Sequence, residues 1–453
     1  MVKELELTIA LLLILRGIFM KIRILAIAMI FIMGNTIIGC SKQQEYSSEY
    51  DFTTDDQYSY TTDITSWRKY QSDGNGQYIL MNNYIYYYNN ETEKLTPLCD
   101  KANCLHDMET DKTRRKDCNA YIDRNLEDDE ILQYDSGYKY IQYYEGDIYY
   151  SLGSSIYCVS KNGSSKKKIY TVDSKRIVAW MIHRGKLYYE VEEHYYEGEN
   201  VYSKAILSQI DMGSSMKEKN AITIFETSED TNLQAFGQLR AYKDKLVFSA
   251  ICISNDFEMS DNESWLQAIR EKNYIYDCDA GKISEIETPE KQSDTDAIGS
   301  IVFLNDKMLI KKYDNMQDAE YKTNIYSMDY DTKEVEVWLE GVAQDSGIKT
   351  YNDYVVIDDA SIQYFEHDNM NSCNVEIYSS EGKKISNFEY ELNSVGTFSG
   401  FGPDGISVDV TQDDTTWYVK EIKFEDVLEC NGDKITPETV CERKFGELNN
   451  IVW

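Results

Sequence analysis

The chain carries 79 aspartates and glutamates against 46 lysines and arginines, a formal charge of -33 over 453 residues. A field of that sign repels nucleic acid and anionic lipid headgroups, so neither is expected as a partner. Aromatic residues reach 13%, with 38 tyrosines and only 4 prolines, which argues against a disordered chain and for a β-rich globular one.

The N-terminus is read first, as a targeting segment. Met20-Lys21-Ile22-Arg23 forms a basic start, Ile24 to Met33 an apolar run, and the segment ends Ile37-Ile38-Gly39-Cys40. That ending resembles the lipobox of bacterial lipoproteins, in which a small residue admits the peptidase and the following cysteine receives lipid. The resemblance implies a lipoprotein signal peptide over residues 1–39, a lipidated Cys40, and attachment to the outer face of the cell membrane. Residues 1–19 hold a second apolar run broken by Arg16 and read as an extension upstream of a start at Met20. The competing reading is a plain membrane anchor that happens to end in cysteine. The polar stretch that follows favours lipidation, and multiple acyl chains anchor stably at about 0.8 kcal/mol per buried methylene. Residues 40–63 then read as a flexible polar stalk and residues 64–453 as the folded body.

Within the body one phrase recurs: an apolar lead-in, a short polar turn, then an apolar strand. Its copies are LMNNYIYYY, YYEGDIYYSL, MIHRGKLYYEV, AYKDKLVFSA, FLNDKMLIKK, TYNDYVVIDD and FGPDGISVDV. A second hairpin follows most of them, as in YYYNNETEKLTPL, YCVSKNGSSKKKIYTV, IYDCDAGKISEI, IYSMDYDTKEVEVWL and IYSSEGKKISNFEY. Tyr, Ile and Val suit a pleated, half-buried surface, and Asn-Gly or Asp-Gly supplies tight turns. One such unit cannot bury its own faces, whereas stacked copies can. The expectation is an all-β fold, a β-propeller with seven blades. Ring closure is expected to borrow a strand from the other terminus, from Ile64 to Tyr70 or Tyr78 to Met81.

These hairpins resemble TolB-like and quinoprotein-type propeller repeats. Asp329 to Trp338, DYDTKEVEVW, is similar to the latter's Asp…Thr-Gly…Trp phrase, with Lys333 in the place of the glycine and one residue more between the ends. With the N-terminus and the segment described next, the chain resembles propeller lipoproteins of clostridial anaerobes. That resemblance implies a fold and an extracytoplasmic address but no activity.

One cluster has metal-ligand chemistry: Cys99, Cys104, His106 and Cys118, in LCDKANCLHDMETDKTRRKDCNAY. The related lipoproteins are expected to carry Cys-x-Lys-Pro-x-Cys-x-His; here Ala102 stands where the proline would. Three thiols and an imidazole match a closed tetrahedral site for one structural zinc ion. A disulfide with one spare thiol and three plain reduced cysteines are the alternatives. Cys158, Cys252, Cys278 and Cys373 read as small buried hydrophobes, and Cys430 and Cys441 as a possible bridge. Without Cys40, an odd number of cysteines remains, so not all can pair internally.

Catalytic motifs are sparse. Ser399, in GTFSGFG, misses the nucleophile-elbow pattern and reads as a linking loop. Asp413 to Trp417 and Asp277 to Gly281 read as hairpin turns rather than an aspartate box or a calcium loop. His183, His194 and His367 read as surface or strand residues, and the tyrosine runs as core with tethered hydroxyls. The favoured function is therefore a non-catalytic, membrane-anchored propeller that binds a protein, peptide or glycan. The alternatives are an extracellular propeller enzyme (a glycoside hydrolase, lyase or lactonase) and a TolB-like envelope sensor or assembly component.

Overall fold

The computed structural model describes residues 55–58, 70–123, 141–253, 269–313, 322–359 and 372–444, apart from short turn segments within those ranges. The chain divides into two compact units, Met1–Ser48 and Glu49–Trp453, and every described residue lies in the second. The signal peptide and Cys40 fall outside the described residues.

The fold is an all-β propeller. Its described strands begin with β1 (Asp56–Tyr58). The first sheet is β2 (Tyr70–Ser72), β3 (Gly76–Met81), β4 (Tyr84–Asn89) and β5 (Lys94–Pro97). The second is β6 (Gln142–Tyr144), β7 (Asp147–Leu152), β8 (Ser155–Ser160) and β9 (Lys166–Thr171). In the third, β10 (Arg176–His183) and β13 (Ile222–Glu226) flank the long hairpin of β11 (Lys186–Glu197) and β12 (Asn200–Asp211). The fourth holds β14 (Leu233–Tyr242), β15 (Lys245–Ile253), β16 (Ile269–Asp277) and β17 (Lys282–Ile286). The fifth holds β18 (Ala297–Phe303), β19 (Lys307–Tyr313), β20 (Lys322–Asp329) and β21 (Val335–Ala343). The sixth is β22 (Gly347–Tyr351), β23 (Tyr354–Asp358), β24 (Ser372–Ser379) and β25 (Lys384–Glu391). The last sheet comprises β26 (Gly396–Gly402), β27 (Gly405–Asp413), β28 (Thr416–Ile422) and β30 (Glu438–Lys444). Before β30, a short helix (Phe424–Leu428) leads to β29 (Asn431–Ile435), which pairs parallel with β25 as a fifth strand of the sixth sheet.

The recurring phrase is the first hairpin of six sheets and the second hairpin, β3–β4, of the first sheet. Its tight turns place Asn83, Glu145, Arg184 and Lys243 at positive φ, with glycine following in two of them at Gly146 and Gly185. Left-handed backbone at non-glycine residues carries a modest cost, which strand pairing on both sides offsets. In DYDTKEVEVW the residue in the glycine's place, Lys333, takes φ 62. The backbone geometry that the resemblance implies is thus kept by a residue less suited to it.

The expectation of seven blades is corrected to six of the expected plan. Six sheets carry the phrase plus two further strands outside it; the first does not. There the phrase and the second hairpin share one strand, β4, and β2 pairs on the other side of β3, so the sheet keeps four strands with β5 at its outer edge. The chain beyond β5 runs into the segment that holds Cys99 to Cys118. For strand exchange between the termini, residues 64–69 of the first candidate lie outside the described residues. Among the described residues the first and last sheets are each built from their own end of the chain, and Tyr78 to Met81 pairs only within the first. The N-terminal strand joins elsewhere: β1 lies inside the stretch read as a stalk, yet it pairs antiparallel with β14 on the inner edge of the fourth sheet. There Arg184 Nη2 meets Asp55 Oδ1 at 3.0 Å, with Asp55 almost fully buried. Ser399 also lies in a strand, β26, not in a linking loop. Asp277 ends β16 and caps the expected turn, its Oδ1 accepting from the N–H groups of Asp279 and Ala280.

Apolar seams between neighbouring sheets form the core. Tyr86, Tyr170, Trp180, Tyr242 and Phe248 are all buried in them, each large enough to contribute a few kcal/mol. Polar staples cross the seams as well. Gln142 exchanges two hydrogen bonds with the Ile182 backbone, His183 Nε2 lies 2.5 Å from Lys243 O, and Trp338 Nε1 donates to Ser380 O. In the fifth sheet adjacent Lys311 and Lys312 are both buried: Lys311 donates to Gln344 O and Ser346 O, and Lys312 pairs with Asp296 at 3.0 Å. Removing Asp296 from such a buried pair would cost about 3–5 kcal/mol.

Glu190, the third sheet's counterpart of Lys311, is 1% exposed and its Oε1 has no hydrogen-bond partner. Burial, with Glu192 nearby, pushes its carboxyl well above the usual range. The folded state then holds this proton at pH values where the unfolded state has lost it. Stability should fall as pH rises above the unfolded carboxyl range near 4.3, by up to about 1.4 kcal/mol per pH unit until Glu190 ionises. Glu190→Gln should match the wild type at pH 4 and exceed it increasingly towards pH 8 in urea titrations. Parallel pH profiles for the two proteins would contradict this.

Candidate metal centre

The segment after β5 has few apolar residues and a short helix, α1 (Lys112–Lys116), capped by Asp111, whose Oδ1 accepts from Thr113 N. Tyrosines of β4 hold it from below. Tyr84 donates to His106 O at 3.0 Å, and buried Tyr86 donates to Asp107 Oδ2 at 3.0 Å. Tyr121 bridges back to Tyr84, and Ile85 N donates to Ala120 O. The tyrosine run of the first sheet is thus core with tethered hydroxyls, as its composition suggests.

This framework brings all four candidate ligands together. One ligand atom from each of Cys99, Cys104, His106 and Cys118 lies within 4.8 Å of the others. Cys118 Sγ sits 3.7 Å from His106 Nδ1. Ligands about 2.0–2.3 Å from a tetrahedral ion stand roughly 3.5–3.8 Å apart, so the cluster needs only slight contraction to hold one. Cys118 is buried, and the other three ligands are partly so. His106 takes φ 52, a left-handed position that turns the Cys104-Leu105-His106 knuckle back on itself. Cys99, Cys104 and Cys118 are free thiols, so no disulfide joins them. Cys430 is likewise free, its thiol donating to Asp426 O, and the possible bridge to Cys441 is not formed.

The electrostatics suit thiolate. Burial would raise the Cys99 thiol, but N–H groups of Lys101 and Asn119 and the neighbouring thiols bring it below its ordinary range. Cys118 is pushed up, first by burial and then by charge on Cys99. The first thiolate therefore opposes the second, a conflict that a dication removes.

The second sheet supplies partners that sequence reasoning missed. In the β8–β9 turn, Gly163 O accepts from Asp100 N and from Asn119 Nδ2 at 2.7 Å. A Cβ on Gly163 would lie 2.6 Å from Cys99 N, so only glycine fits. From β9, Lys166 Nζ donates to Cys118 O at 2.7 Å and Tyr121 O at 3.0 Å, with Lys116 O at 3.4 Å. Burial pulls its ammonium below the ordinary lysine range, while charge on Cys118 holds it up. The available signal was slight: Asn162-Gly163 marks a turn, and Lys166 opens a run of three lysines in an acidic chain. Of the remaining histidines, His183 is a buried staple of the third sheet, whereas His367 and the side chain of His194 lie outside the described residues.

No protein-family profile matches the chain, and no curated protein is similar to it in sequence. Solved structures of low identity do resemble it. One is a prolyl endopeptidase, at 8% identity and a TM-score of 0.48, covering 82% of this chain and 48% of that one. Another is the acylaminoacyl peptidase of Pyrococcus horikoshii, at 12% and 0.42, covering 86% and 54%. A third is KlAtg21 in complex with the coiled coil of AgAtg16, at 10% and 0.45, covering 85% and 100%. The chain spans about half the length of the two peptidases it resembles.

Proposed function

We propose that this protein is a lipid-anchored propeller at the outer face of the cell membrane, akin to the clostridial lipoproteins it resembles. In this reading it binds a protein, peptide or glycan without turning it over, and Cys99, Cys104, His106 and Cys118 hold one structural zinc ion. The zinc reading is supported by the convergence of three free thiols and one imidazole within 4.8 Å. With all four positions filled by protein, the ion would have no place for a catalytic water. It would tie together the largely polar segment that follows β5.

The binding reading is supported by topology. Antiparallel pairing brings the connections β15–β16, β19–β20 and β23–β24 to the end of their sheets away from the first hairpin turns. These connections are long, spanning residues 254–268, 314–321 and 359–371, whereas the opposite turns are short. Connections of such length carried by a rigid scaffold suit recognition. An enzyme would need convergent acid, base or nucleophile groups there.

Elemental analysis of protein purified without chelator should give about one zinc per chain, lost in Cys104→Ser. A Cys–Cys bond inside the cluster, found by non-reducing peptide mapping with no metal present, would end the zinc reading. Cys40→Ala should abolish incorporation of a lipid label and leave the precursor unprocessed; equal labelling of both proteins would rule Cys40 out as the anchor. Purified protein offered glycan, ester and peptide substrates should release no product. Robust turnover that one carboxylate substitution removes would favour the enzyme instead.

A further inference from the structure

We infer that Lys166, from the second sheet, is the charge-balancing residue of the metal centre, and that the centre is completed across the seam between the first two sheets. The inference rests on the zinc reading above and adds a residue outside the ligand set. Three thiolates and one neutral imidazole around a dication leave one net negative charge. That charge sits in a partly buried segment of a chain whose overall field is strongly negative, where it is costly without a countercharge.

Lys166 is placed to supply it. Its Nζ donates to the carbonyl of the buried ligand Cys118 at 2.7 Å and to that of Tyr121 at 3.0 Å. An ammonium seated on a ligand's own carbonyl fixes the backbone that aims the thiolate and raises the potential at the sulfur, which stabilises its negative charge. Partners in this outer position commonly set metal affinity as strongly as a factor of 10–100. The neighbouring basic side chain, Lys101, is directed to Asp117 O at the end of α1, so it braces the segment at another point.

The placement also requires the second sheet to be docked. Lys166 lies on β9, three residues beyond the glycine that seats Cys99. Asn119 and Asp100 reach from the metal segment to the same Gly163 carbonyl. Four ligands come from one side of the seam, and the countercharge with its seat comes from the other.

Lys166→Gln keeps N–H donors for the carbonyls and removes the charge; Lys166→Arg keeps the charge. Zinc affinity of the purified full chain is measured by competition with a chromophoric chelator, beside the thiolate charge-transfer band of the cobalt-loaded protein. Lys166→Gln should bind zinc about tenfold or more weakly and shift the cobalt band, whereas Lys166→Arg should stay within about threefold of the wild type. Wild-type affinity in Lys166→Gln, or equal loss in both variants, would overturn the inference while leaving the zinc reading intact. A wild-type chain that binds no zinc would overturn the zinc reading itself and this inference with it.

Discussion

No sheet in this ring can bury both of its faces alone. Strands such as β7, β19 and β23 are apolar on both sides, so each sheet is stable only while a neighbour covers it. The seams are therefore the element on which everything else depends. Their aromatic packing supplies most of the burial, and the polar staples fix the register in which sheets meet. Gln142 and His183 are buried side chains whose partners are backbone groups on the next sheet, so a slipped seam would leave them buried and unsatisfied.

The first sheet departs from the plan of the other six. Its phrase is shifted one strand outward, and a largely polar segment follows β5, with Leu98, Ala120, Tyr121 and Ile122 as its buried anchors. Tyrosine hydroxyls reach up from β4 to hold that segment, and the four candidate ligands gather over them. The cluster's position between the first two sheets follows from the fold, because the connection from one blade to the next passes over their shared seam.

Much of this was legible in the sequence. The recurring phrase marks a hairpin in every sheet because its turn demands left-handed backbone, which Asn83 and the Glu145-Gly146 and Arg184-Gly185 pairs accept. The four candidate ligands were legible from their chemistry. The shift of the phrase in the first sheet was legible only in retrospect, since YIYYY has to serve both the phrase and the hairpin after it. Lys311 and Lys312 gave no warning of their burial; adjacent lysines in a strand read as one solvated face and one accident. Their partners, Gln344, Ser346 and Asp296, are set by packing rather than spacing. The same holds for Lys166, whose three carbonyl acceptors lie more than forty residues away. Local pattern reveals turns and strands; it is blind to what a neighbouring sheet brings.

The placement of β1 bears on how this protein would respond to mechanical load. The chain enters the ring at its inner edge, where Asp55 engages Arg184 and three residues pair with β14, so a pull on the N-terminus is first felt inside the propeller rather than on its rim. The paired length is the shortest kind of strand in the ring, while the sheet behind it is paired along nine residues between β15 and β16. Under tension β1 would peel away before any seam opened. Its loss would leave the other four strands of the fourth sheet paired.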